Sequence, residues 1–225
     1  MISDKTKYNR EFIDRYYRAI EECLGRSNTS YSKMAGNIFA MIVKELIESI
    51  IKEVNLPYKV SINNSYIKNH KSEWDLLIVE KNASDHGVNV YDEDDIKAII
   101  ELKTASYFQN TSVKEYQSLK GKELDAKKKI MFDNMDSYFK RISEYLIVND
   151  KIRYLYITLF QNINYSDELC KVINNMTNNM TNNKGNISVF IFNKDNVYYD
   201  KGEKNFKNDK YLEESFSEFI IGALK

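Results

Sequence analysis

A single acidic residue stands in Glu73-Trp74-Asp75-Leu76-Leu77-Ile78-Val79, and a second stretch reads Ile99-Ile100-Glu101-Leu102-Lys103. Both have the composition of strands, and alternation along a strand puts Glu101 and Lys103 on the same face. Two carboxylates and an ammonium converging at the end of a small sheet can hold Mg²⁺ and activate a water beside a phosphodiester. The chemistry suggested is metal-assisted phosphodiester hydrolysis. Glu-x-Lys alone is a weak pattern in a charged chain, so the context matters. Glu101 and Lys103 end the run Ala98-Ile99-Ile100, and Asp75 precedes Leu-Leu-Ile-Val. A charge beside such apolar residues is costly unless it faces a site, and desolvation there tunes its pKa. The plainer alternative is ordinary surface charge at strand ends.

The elements that must position these groups follow from periodicity. Tyr8, Phe12, Tyr16, Ile20 and Leu24 recur every fourth residue, which predicts an amphipathic helix over 5–24 with Gly25 as terminator. A second helix is expected over 32–54, with Ala35, Ile38, Phe39, Ile42, Leu46, Ile50 and Val54 on one arc; Leu56-Pro57 ends it. Strands are expected over 58–67, 74–80 and 96–104, and the link 82–95 carries turn formers and the run Asp92-Glu93-Asp94-Asp95. A Lys-rich, partly helical stretch over 103–129 precedes an amphipathic helix over 132–148. Arg153 to Gln161 reads as a buried strand, 166–173 as a helix, 187–192 with 197–199 as a hairpin, and 211–224 as a closing helix. The order describes one α/β domain with a mixed sheet, two helices before it, and a hairpin and helix after it.

Bulk composition narrows the classes. The chain has 225 residues, 43% hydrophobic and 13% aromatic, which is globular composition. Its 33 basic and 33 acidic side chains cancel, so nucleic-acid binding would have to come from a local basic face. Cys23 and Cys170 form no CxxC pair and read as reduced core thiols, which suits a cytoplasmic protein. No apolar signal core and no membrane span are expected.

The pattern resembles the PD-(D/E)xK nuclease superfamily, which contains most type II restriction endonucleases and many repair and antiphage nucleases. That pattern is an acid on one core strand, acid-x-Lys on the next, then a helix and another strand. Here the acid is Asp75, the paired motif Glu101-Leu102-Lys103, the helix 132–148 and the strand 153–161, so the resemblance covers about residues 31–161. It implies a restriction-endonuclease-like mixed sheet flanked by helices. It also implies that Asp75 and Glu101 bind Mg²⁺, with Mn²⁺ able to substitute, while Lys103 orients or helps deprotonate the attacking water. Trp74 stands where the pattern often has Pro, and the Lys-rich stretch after Lys103 is unusually long. Many members add a carboxylate from the preceding helix. Glu45, at the border of the apolar arc beside Ile38 and Ile42, is the candidate third ligand, and a solvated Glu paired with a nearby Lys is the alternative.

The implied activity is Mg²⁺-dependent cleavage of double-stranded DNA in restriction or phage defence, leaving a 5′-phosphate and a 3′-hydroxyl. The spacing and hydrophobic pattern also look like antiphage effector nucleases that degrade DNA, some of them trimers switched on by cyclic oligonucleotides. A homodimer is expected for cutting both strands, and a larger assembly with a nucleotide activator fits the effector subgroup. An RNA substrate on the same fold is one alternative, and a catalytically silent α/β binding or assembly module is another. Lys114, Lys120, Lys122, Lys127, Lys128 and Lys129 could track a phosphate backbone, but Glu115, Glu123 and Asp125 between them equally make a solvated helical face. Lys140 and Arg141 are similarly ambiguous. Tyr116-Gln117 could steer a nucleic-acid end. His70 and His86 have no partner near in sequence, and the Asp92–Asp95 run is expected to solvate a hairpin tip.

Overall fold

A computed structural model of the chain describes residues 4, 6–24, 31–62, 64–103, 120–123, 126, 129, 142, 144–146, 148–160, 187–193, 197–200, 203–206 and 215–225. The architecture is mixed α/β. Helices α1 (Lys7–Leu24) and α2 (Tyr31–Glu53) lead into strands β1 (Tyr58–Val60), β2 (Ser65–Ile67), β3 (Glu73–Trp74), β4 (Leu76–Glu80) and β5 (Val90–Tyr91). A 3-10 turn, Glu93–Asp95, opens β6 (Ile96–Lys103). Strands β7 (Arg153–Phe160), β8 (Ile187–Asn193), β9 (Val197–Asp200) and β10 (Glu203–Phe206) follow, and helix α3 (Phe216–Leu224) closes the chain.

The central sheet runs β1-β4-β6-β7-β8, with β1/β4 and β4/β6 antiparallel and β6/β7 and β7/β8 parallel. Side-chain alternation splits its apolar residues between two cores. Leu76 and Ile78, then Ala98, Ile100 and Leu102, then Leu155, Ile157 and Leu159 join the buried faces of α1, α2 and α3. Leu77, Val79, Ile99, Tyr154 and Tyr156 form the opposite core with Ile67, Trp74, Tyr91, Ile142 and Leu146. Ile96 breaks the parity of β6. The β4/β6 register slips between Ile78 and Val79, and this bulge turns Ile96 to the second core.

The helix layer is built from the spacing visible in the sequence. Phe12 stacks on Phe192 at 3.8 Å between centroids and meets Phe39 edge-on at 5.3 Å, knitting α1, α2 and β8 together. α2 ends in a Schellman arrangement: Leu56 N–H bonds the Ile51 carbonyl at 3.0 Å, Asn55 N–H bonds Lys52 at 3.2 Å, and Asn55 has φ 53°. Asn supplies the left-handed residue that Gly more often gives, and Pro57 then prevents continuation. α3 is capped by Ser215, whose Oγ accepts from Glu218 N–H at 3.3 Å. Among the described residues no helix is long and apolar enough to cross a membrane.

Three expectations need correction. The stretch 58–67 is two strands rather than one. After Val60 the Ser61 hydroxyl accepts the Leu77 N–H at 2.8 Å, Asn64 turns the chain at φ 61°, and β2 pairs instead with β3 and β5 in a separate small sheet. The stretch 74–80 is likewise broken, at Asp75, between β3 and β4. The C-terminal hairpin joins β9 to β10, whereas β8, with Ile187, Phe190 and Phe192 buried, adds to the central sheet beside β7. Glu203-Lys204-Asn205-Phe206 has low β-propensity, so its pairing is set by the neighbouring strand and not by its own residues. Of the helix expected over 132–148, residues 142, 144–146 and 148 are described and helical. The helix expected over 166–173, Cys170, Tyr116, Gln117, Lys114, Lys127, Lys128, Lys140 and Arg141 lie outside the described residues.

Candidate functional site

Asp75 occupies the one-residue gap between β3 and β4, because the two halves of this stretch pair with different sheets. Its main-chain carbonyl accepts the Asn64 N–H at 3.2 Å. Its side chain reaches across to the neighbouring strand, where Oδ2 accepts the Leu102 N–H at 2.7 Å. The Leu76↔Ile100 register pair lies one step away, so this bond sets the Asp75 carboxylate beside Glu101. A half-buried carboxylate held by a main-chain N–H is pre-positioned, and one of its oxygens remains for another partner.

Glu101 and Lys103 lie on the face of β6 that carries Ile99, opposite the helix layer, as strand alternation requires. The Glu101 side chain is 14% exposed, and the Lys103 ammonium forms an ion pair with its Oε1. Burial pushes the Glu101 carboxyl above its ordinary value of 4.5. The Lys103 ammonium opposes that shift, and the Asp75 carboxylate adds to it. Glu101 is therefore within electrostatic reach of both Lys103 and Asp75 at the C-terminal end of β6.

The next strand braces this end. Thr158 pairs in register with Lys103, is fully buried, and donates its hydroxyl hydrogen to the Lys103 carbonyl at 2.8 Å. Sequence reasoning missed both Thr158 and Ser61. Thr158 is the one aliphatic hydroxyl in β7, which is a signal, but its partner depends on a strand register that spacing does not give.

Glu45 is not brought to this group. It is exposed on α2, which packs on the opposite face of the sheet, and its carboxylate pairs with Arg15 of α1. Arg15 also bridges Glu11 at 3.4 Å. The position at the border of the apolar arc faces the neighbouring helix rather than the sheet edge. Lys120, Lys122 and Lys129 are described and exposed, as is Glu123.

The acidic run before β6 has tertiary partners. Asp92 pairs with Lys68 at 2.8 Å and with His86 at 2.9 Å. Glu93 faces His70 at 3.1 Å and accepts the Tyr145 hydroxyl at 2.9 Å. Burial first, and the Glu93 carboxylate next, push the Tyr145 phenol well above its ordinary value, so it remains a donor. These contacts fix the start of β6 and pin residue 145 over the same side of the sheet as Asp75 and Glu101. They correct the expectation of a freely solvated hairpin tip.

Two carboxylates, one of them desolvated and repelled by the other, suit a small hard cation. Mg²⁺ keeps most of its waters and needs only one or two carboxylates from a protein, a demand that Asp75 and Glu101 meet. Among the described residues no group of three or more His, Cys, Asp or Glu side chains is placed to hold a metal. Comparison with protein-family models, with curated proteins and with solved structures found no match.

Proposed function

We propose that the chain is a Mg²⁺-dependent DNA endonuclease of the PD-(D/E)xK type, with a restriction-endonuclease-like core, acting in restriction or antiphage defence. The observation that carries this reading is the bond from Leu102 N–H to Asp75 Oδ2, which sets the acid just before β4 beside the Glu101-x-Lys103 motif of β6. Adjacency of β4, β6 and β7 in the sheet, with helical residues between β6 and β7, supports it.

Asp75 and Glu101 would hold Mg²⁺, and Glu45 has no part in it. Bound there, Mg²⁺ supplies neutralisation of the phosphodiester charge and a lowered pKa for a water beside it. Lys103 orients that water or takes part in removing its proton. Thr158 holds the Lys103 main chain, and the buried surroundings of Glu101 strengthen each electrostatic contact. The products are a 5′-phosphate and a 3′-hydroxyl. Two copies related by a two-fold axis would cut both strands of a duplex.

The test uses matched DNA and RNA duplexes and single strands with Mg²⁺ or Mn²⁺, and identifies the end groups. Cleavage of DNA leaving 5′-phosphates, abolished in Glu101→Gln, is the expected result. Cleavage of RNA alone would overturn the substrate, and cleavage unaffected by Glu101→Gln would overturn the site.

A further inference from the structure

The Glu101 carboxylate is 14% exposed, whereas the Lys103 ammonium that covers it is 37% exposed. Among the described residues Lys103 is the only cation paired with Glu101. A nearly buried carboxylate with a second carboxylate beside it needs a positive partner, since breaking such a pair strands an uncompensated charge. Lys103 fills that need from two residues away on the same face of the same strand. The ammonium therefore occupies the carboxylate that a divalent cation would also require.

We infer that Lys103 is an internal counter-cation that competes with the metal for Glu101, so that loading of the metal and release of the Lys103 ammonium are one event. This rests on the metal site of the proposed nuclease and adds its regulation. A divalent cation held by Asp75 and Glu101 would bring two charges where Lys103 offers one to Glu101. The Lys103 side chain is 37% exposed, and Ile100 and Leu102 pack on the other face of the strand, so the ammonium can swing without disturbing them. Whatever strengthens the Lys103–Glu101 pair must weaken metal binding by the same factor, because the two equilibria are linked. The device keeps Glu101 paired when no metal is bound. It would also free the Lys103 ammonium to donate hydrogen bonds to a nearby water or phosphate oxygen.

The test is titration calorimetry of Mn²⁺ into the intact wild-type protein, Lys103→Met and Lys103→Arg, alongside duplex cleavage by the wild type. Lys103→Met should bind Mn²⁺ about tenfold more tightly, equivalent to about 1.4 kcal/mol. Lys103→Arg keeps the charge and should bind as the wild type does. Affinity unchanged or weakened in Lys103→Met, in a preparation where the wild type cleaves, overturns this inference alone. Tightened binding with no cleavage of DNA or RNA by the wild type upholds the competition and removes the nuclease reading. Absence of Mn²⁺ binding in all three proteins removes both.

Discussion

Glu101 gives the most direct handle on the electrostatics. Its carboxyl is raised above 4.5 in the folded protein by burial and by Asp75, against the pull of Lys103. A group whose folded pKa is raised binds more protons folded than unfolded over the window between the two values. Stability therefore falls as pH rises from 4.5 through the folded value, and the penalty is fully present above it. Glu101→Gln removes the penalty, so it should raise Tm at pH 8 in chelator, and the gain should vanish below the ordinary glutamate range. A lower Tm than wild type at pH 8 would contradict the account. Mn²⁺ should raise Tm in the wild type and not in Glu101→Gln. Thr158→Val tests the brace: with the Lys103 carbonyl left without its donor, the chain should lose about 1 kcal/mol in urea unfolding. Unchanged stability would show that water takes over that bond.

At the scale of elements, α1 and α2 were legible because an apolar residue every third or fourth position leaves few other ways to bury Phe12, Phe39 and Leu46. The strands carrying Ile100 and Leu155 were legible because continuous apolar runs match a sheet covered on both faces. What spacing could not give was pairing. The broken stretch at Asp75 and the exchange of partners by β8 and β9 depend on register across the sheet, and no local residue encodes it. Asp75, Glu101 and Lys103 could be singled out because each is a charge against apolar strand residues. Glu45 stayed open between the site and a solvated ion pair because the edge of a helical arc can face either a sheet or a neighbouring helix, and here it pairs with Arg15. Glu45→Gln should accordingly leave Mn²⁺ affinity and cleavage unchanged, and a tenfold loss of either would contradict that placement. Phe12→Ala, in the joint between α1, α2 and β8, should cost about 3–5 kcal/mol. A loss below about 1 kcal/mol would mean the aromatic joint is not where these elements are held together.

For the whole molecule, the central sheet separates two tasks. One face supports the helix layer, and the other carries Asp75, Glu101 and Lys103, with Ile142, Tyr145 and Leu146 packed over it. A site on the second face can therefore be altered without dismantling the first. Net charge of zero leaves the attraction of any polyanion to local groups, so in the proposed nuclease the grip on DNA would depend on the exposed lysines and on a cation at Asp75 and Glu101. The most direct test of the central claim is conversion of supercoiled plasmid by the wild type, Asp75→Asn, Glu101→Gln and Lys103→Met in Mg²⁺, each checked for an intact thermal transition. The account predicts nicked or linear plasmid with the wild type and none above background with any folded variant. Cleavage that persists in folded Asp75→Asn and Glu101→Gln would contradict it.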